Sequence, residues 1–167
     1  MATVYLLLGG NEGDVPAAFS KVFSLLKKEA DIRILSVGSL YKSEPWGMEA
    51  ADMFYNQSLA VVTDLSPRQL LQRLLSIERA VGRKRTLGVV ESRAIDIDIL
   101  FYDDEIISFP DLKIPHPRLH LRKFALLPLM DIAPNLQHPL LKKNIRQLVA
   151  EVRDPLKVEK AGGGARP

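Results

Sequence analysis

Apolar positions along the chain change period several times, and each change marks an element. Val4 to Leu8 is a short apolar run closed by Gly9-Gly10, the form of a buried strand. Behind Asp14, a capping residue, Val15, Ala18, Phe19, Val22, Phe23 and Leu26 recur at the spacing of one helical face, with Pro16 tolerated in the first turn. Ile32 to Tyr41 is β-branched and loosely alternating and predicts a strand; a loop containing Pro and Gly follows from Ser43 to Met53. Phe54 to Thr63 has period two, which puts Phe54, Asn56, Ser58, Ala60 and Val62 on one face and Tyr55, Gln57, Leu59 and Val61 on the other. Ser66-Pro67-Arg68-Gln69 is a capping box opening a helix that buries Leu70, Leu71, Leu74, Ile77 and Val81 and stops at Gly82. A basic loop from Arg83 to Arg93 leads into a strand over Ile95 to Phe101. Asp103-Asp104 reads as a hairpin turn before a weaker strand at Glu105 to Ile107. Arg118 to Met130 and Ile145 to Val152, the latter behind Asn144, are helical, and the glycine-rich Ala161 to Pro167 predicts a disordered tail after a single domain of residues 1–160.

The order β-α-β-β-α-β, then a β-ribbon and C-terminal helices, predicts an α+β ferredoxin-like sandwich. Its sheet is mainly antiparallel, with helices packed on one face and the other face left for a ligand or partner. At 167 residues the chain has the size of one domain and can bury a core without cross-links. It has no cysteine, which removes disulfides, thiolate nucleophiles and cysteine metal sites together. Its 23 Lys and Arg against 20 Asp and Glu leave +3, too small a surplus to imply nucleic acid without a clustered patch. No basic segment precedes the first apolar run and no stretch reaches about 18 apolar residues, so the chain is expected to be cytoplasmic with no membrane partner.

The sharpest chemical feature is Ile95-Asp96-Ile97-Asp98-Ile99. On a strand the isoleucines face one side and the aspartates the other, their Cα atoms about 6.5–7 Å apart. Two carboxylates so placed repel each other unless a cation lies between them. Mg²⁺ suits the place, because it takes oxygen ligands and is commonly completed by water and substrate phosphates. The other reading is an amphipathic strand with a solvated acidic face. Arg83, Lys84, Arg85 and Arg93 lie just upstream, and His116, Arg118 and Arg122 downstream. Each alone reads as a solvated loop charge; together around one strand they suit a polyphosphate, whose oxygens match forked guanidinium donors.

A second group is aromatic. Phe54 and Asn56 share a strand face, and Phe124 could supply an opposing ring. Ring, amide and ring suit a planar heterocycle, although phenylalanines at such spacing also serve as core. The P-loop signature, the kinase loops and the nucleophile elbow are all absent. An aromatic RNP strand of the RNA-binding ferredoxin-like domains is absent as well. Gly9 to Asp14 carries two acidic residues and reads as a structural turn rather than a phosphate site.

Taken in order, Tyr5–Asp14, Ser39–Gly47, Phe54-Tyr-Asn56, Ile77-Glu78, Gly82–Arg85, Arg93–Leu100, Pro115-His116, Arg122-Lys-Phe124 and Leu127-Pro-Leu129 resemble the 6-hydroxymethyl-7,8-dihydropterin pyrophosphokinases of folate biosynthesis over about Val4 to Pro134. The resemblance implies transfer of pyrophosphate from ATP to the pterin hydroxymethyl group, with AMP released. It implies that Asp96 and Asp98 hold two Mg²⁺ ions and that Arg83, Arg93, Asp96 and Asp98 carry catalysis. ATP would be contacted by Glu78, Arg83, Arg85, Arg93, Ile99, Lys113, His116 and Arg122. The pterin would lie between Phe54 and Phe124, beside Asp96, with Asn56, Ser43, Pro45 and Trp46 at its edge. The loops Ser43–Met53 and Arg83–Arg93 would close over ATP, and the protein would act as a monomer or weak homodimer without nucleic acid. In one place the chain departs from the family: Val89-Val90-Glu91-Ser92 stands where Arg-Trp-Gly-Pro is usual before Arg93, which bears on loop closure and rate.

Overall fold

The computed structural model describes residues 1–44, 53–82 and 95–161. Its elements are β1 (Ala2–Gly10), α1 (Val15–Lys28), β2 (Ile32–Val37), β3 (Tyr41–Ser43), β4 (Phe54–Thr63), α2 (Pro67–Gly82), β5 (Asp96–Tyr102), β6 (Ile107–Phe109), β7 (Leu112–Ile114), a 3-10 turn (Leu119–Leu121), α3 (Lys123–Ile132), α4 (Ile145–Glu151) and β8 (Val158–Lys160). The main sheet runs β5-β1-β4-β3-β8, with β2 also on β4, and every pairing is antiparallel. With β1 and β4 central and the first two helices as crossovers, this is the expected ferredoxin-like α+β arrangement.

Alternation in the strands decides what each face buries. Leu6 and Leu8 of β1, Leu59 and Val61 of β4 and the three isoleucines Ile95, Ile97 and Ile99 pack beneath Phe19, Phe23 and Leu26 of α1 and Leu70 and Leu74 of α2. Both helices start on local signals. Asp14 accepts from Ala17 N at 3.1 Å, and Ser66 and Gln69 exchange bonds of 3.2 and 2.9 Å.

The second face of the sheet is not left bare. α3 and α4 cover part of it, with Leu126, Leu129, Ile145 and Leu148 against Leu7, Leu100 and Phe101. A β-bulge between Tyr5 and Leu6 of β1, opposite Leu100, sends both Leu100 and Phe101 to this side, where strict alternation would separate them. The open part of this face lies at the end of the sheet where β1 finishes and β5 begins.

Several expected boundaries differ, among them the helix expected over Arg118 to Met130, which is a 3-10 turn broken at Arg122 before α3. The segment Ile32 to Tyr41 is two strands, because at Gly38 the backbone closes on the sheet: its N–H reaches Ser58 O at 2.9 Å, and a Cβ there would lie 2.6 Å from Ser58 Oγ. Asp103-Asp104 does turn the chain, but the following segment does not return along β5; Ile107–Phe109 pairs instead with β7. Asp103, at φ 48°, gives its carboxylate to Thr3 N at 2.8 Å and so ends β5 against β1. β8, too short and polar to read from sequence, adds to the edge of β3. Ala161, read from the sequence as the start of the tail, donates to Leu40 O at 2.8 Å; residues 162–167 lie outside the described residues. Among the described residues no helix is long and apolar enough to cross a membrane.

Candidate active site

Strand β5 carries the chemistry on one face and core on the other. Ile95, Ile97 and Ile99 are each at most 5% exposed, while Asp96 is exposed and Asp98 half-buried on the opposite side. β5 is an edge strand, and Ile97 N–H finds its acceptor not in another strand but in the buried carboxylate of Glu78 on α2, at 2.7 Å. That bond removes an orphan donor and fixes where the strand begins.

Register then assembles a row across three strands. Gly9 stands opposite Asn56 on one side and Asp96 on the other; Leu7 stands opposite Asp98 and Ser58. A Cβ on Gly9 would sit 3.0 Å from Asn56 Nδ2, so glycine leaves the floor open between amide and carboxylate. Asn56 donates Nδ2 to Leu8 O at 3.2 Å, which sets the plane of its amide. Phe54 opens β4 at 39% exposure, opposite the buried Ser43 of β3.

The rim comes from the chain after β7. Arg122 immediately precedes α3, and its guanidinium carbon lies 5.4 Å from the centroid of the Phe124 ring. These residues bound a cavity of about 730 Å³, with Gly9, Ser43, Phe54, Asn56, Asp96 and Asp98 as floor and Arg118, Arg122 and Phe124 as rim. Burial pushes the Asp98 carboxyl upward, the charge of Asp96 adds to that, and Arg122 pulls the other way. His116 is held below its ordinary value by burial and then by the charges of Arg122 and Arg118. The arrangement brings two carboxylates and the cations Arg118 and Arg122 into one cavity, beside a flat ring and a fixed amide.

A profile of the 7,8-dihydro-6-hydroxymethylpterin-pyrophosphokinase (HPPK) family matches residues 5–134, which contain every floor residue named above. The chain belongs to the HPPK family. It is 40% identical, over 90% of its length and 92% of the relative's, to the 2-amino-4-hydroxy-6-hydroxymethyldihydropteridine pyrophosphokinase of Aquifex aeolicus. It is 44% identical to the folic acid synthesis protein FOL1 of Dictyostelium discoideum over 83% of this chain, but spans only 20% of that protein. Among solved structures, Plasmodium falciparum HPPK-DHPS superposes with a TM-score of 0.71 at 18% identity, covering 90% of this chain and 43% of that one. That last likeness shows the HPPK fold.

Of the residues expected from the sequence, Ser43, Phe54, Asn56, Asp96, Asp98, Arg122 and Phe124 line the one cavity, and His116 lies within reach of the charges on its rim. Glu78 and Ile99 do not line it; both lie buried beneath β5, Glu78 on a backbone N–H. Lys113 is exposed on the ribbon, 3.4 Å from Ser108 Oγ. Pro45, Trp46, Arg83, Arg85 and Arg93, and the Val89–Ser92 departure, lie outside the described residues. Sequence reasoning missed the segment Arg153, Asp154, Pro155 and Leu156, which forms a further wall. The signal was slight, a Pro-containing stretch just past a capped helix.

Among the described residues no group of three or more His, Cys, Asp or Glu surrounds a point. Among the described residues the site therefore offers the two carboxylates of Asp96 and Asp98. That donor set fits Mg²⁺, a hard cation that is ordinarily held by one or two carboxylates and completed by water and phosphate oxygens. It does not fit a closed structural metal site.

Proposed function

We propose that this protein transfers pyrophosphate from ATP to the hydroxymethyl group of 6-hydroxymethyl-7,8-dihydropterin, in folate biosynthesis. A bond forms between the hydroxymethyl oxygen and the β-phosphorus, the bond between that phosphorus and the α,β-bridging oxygen breaks, AMP leaves, and the hydroxyl proton is released to solvent. The observation that carries this reading is the row Asp98, Asp96, Gly9 and Asn56. It sets the carboxylate pair of β5 two strands across the sheet from the fixed amide of β4, in a cavity that Phe54 and Phe124 also line.

The two rings, Phe54 and Phe124, hold a planar heterocycle, and burial of its faces favours a flat aromatic over a flexible ligand. Asn56 and the backbone at Ser43 meet its polar edge, and a site built to pair such an edge rejects rings that lack it. Asp96 and Asp98 would hold two Mg²⁺ ions, which when bound supply the positive charge that a polyphosphate needs in its transition state. Arg122 and His116 would face the phosphates, and the family resemblance implies that Arg83, Arg85 and Arg93 of the basic loop join them. Asp96 lies between the two halves, since it neighbours Gly9 and, through it, the amide that orients the pterin. Positioning and fixed electrostatics account for most of the rate in this scheme. The reading places the chain in the cytoplasm as a monomer or weak homodimer, with ATP and the pterin as partners and with neither nucleic acid nor membrane.

The test is to mix protein, Mg²⁺, ATP and the pterin and follow AMP by chromatography. AMP that forms only with pterin and divalent metal both present is the expected result. ATP consumption that ignores the pterin, or yields ADP, overturns the reading.

A further inference from the structure

We propose that Asp154 is a positioning residue for the cavity: it caps α3 from 31 residues downstream and thereby fixes Arg122 and Phe124. The inference rests on the functional reading above and adds a residue beyond the 5–134 stretch that the family profile matches.

α3 begins without a cap of its own. Arg122 in the N-cap position makes no side-chain capping bond, and the first turn holds no acidic residue. The opening N–H groups of a helix have no partner within it, and a carboxylate placed there also meets the positive end of the helix dipole. Asp154 supplies both. Its Oδ2 accepts Lys123 N at 3.1 Å while its Oδ1 accepts Leu156 N at 3.0 Å, so one side chain closes the start of α3 and the turn that forms the cavity's extra wall.

The far end of that wall is tied as well. β8 pairs with β3, and Glu44 N reaches Lys157 O at 3.4 Å, beside Ser43. Asp154 thus lies where the helix start meets the C-terminal segment, and that segment runs on into β8, which pairs with the strand that carries Ser43. Arg122 acts on Asp98 electrostatically and on Phe124 through its ring face, so a shift of the first turn of α3 moves the cation facing the carboxylates and the ring wall together.

The experiment compares Asp154→Ala, Asp154→Asn and Asn144→Ala, the last removing a cap of the same kind from α4, away from the cavity. Steady-state AMP formation and amide hydrogen exchange at Lys123 are measured for each beside the wild type. The expected result for Asp154→Ala is a rise of about tenfold in the KM for 6-hydroxymethyl-7,8-dihydropterin, equivalent to about 1.4 kcal/mol. The change in kcat should be smaller, and Lys123 exchange faster. Asp154→Asn keeps an acceptor for one of the two N–H groups and recovers part of the KM. Asn144→Ala lowers the melting temperature but leaves the KM within about twofold, less than 0.5 kcal/mol. Equal KM effects from Asp154→Ala and Asn144→Ala, or unchanged exchange at Lys123, overturn the inference. A wild type that forms no pterin-dependent AMP overturns the functional reading instead, and exchange at Lys123 then still decides the cap.

Discussion

The two faces of the β5-β1-β4 sheet are built from the same strands and do opposite work. One is sealed by α1 and α2 and is built mainly of leucines, isoleucines, valines and phenylalanines, with the Glu78 carboxylate buried among them on a backbone N–H. The other is covered by α3 and α4 over only part of its extent, and where cover ends the side chains become Asp96, Asp98 and Asn56. Ile95 to Ile99 shows the contrast within five residues: each step along the strand crosses from dry core to a charged cavity. The sealed face stabilises the fold so that the open face can carry groups that do not stabilise it. Two neighbouring carboxylates, one raised by burial, are a cost that a surface chosen for stability alone would not keep.

The comparison can be broken by moving one residue at a time. The largest effect belongs to Asp98→Ala, which should lower turnover about 10²–10³-fold or more, the range for removing one electrostatic stabiliser of a transition state. Its thermal stability should be unchanged or raised. Because the folded value of Asp98 lies above its ordinary 3.8, its contribution to stability is fully present below that value and is lost as pH rises through the folded value. Asp98→Asn should therefore be more stable than wild type at pH 7, and the difference should vanish in acid. A destabilised Asp98→Asn at neutral pH would remove the contrast between the faces.

On the sealed face, Phe23→Ala should cost about 3–5 kcal/mol in urea unfolding while the folded fraction keeps its KM values. Asn56→Ala should raise the KM for the pterin by about 1–3 kcal/mol, the cost of an unmatched buried polar edge, and leave ATP binding little changed. A loss confined to ATP would move the amide out of the ring pocket. The smallest effect is at His116. Held below its ordinary 6.5, it contributes stability above that pH and loses it as pH falls through the folded value, so His116→Gln should flatten the acid limb of a melting-temperature profile.

Much of this was legible in sequence because it is local. The helical period of Val15 to Leu26, the capping box at Ser66, the alternation of Phe54 to Thr63 and the Ile-Asp repeat each depend on neighbours within a few residues. The break at Gly38 was not, since what excludes a side chain there is Ser58, twenty positions away. Nor was β8, whose three residues are defined by pairing with Tyr41 to Ser43 rather than by any pattern of their own. Glu78 belongs to a motif shared with the family, yet its carboxylate holds a strand rather than lining the cavity.

By itself the sequence determined which side chains could share a face, because period two and period 3.6 are properties of the backbone. It thereby put Asp96 and Asp98 together and opposite the isoleucines. What those faces meet depends on packing between distant segments. Register brought Gly9 between Asn56 and Asp96, packing of α3 and α4 left one end of the sheet uncovered, and the C-terminal segment returned to cap α3 and close the wall. Those choices are set by contacts between residues far apart in the chain, where burial and unmatched hydrogen-bonding groups, not local conformational preference, select the partner.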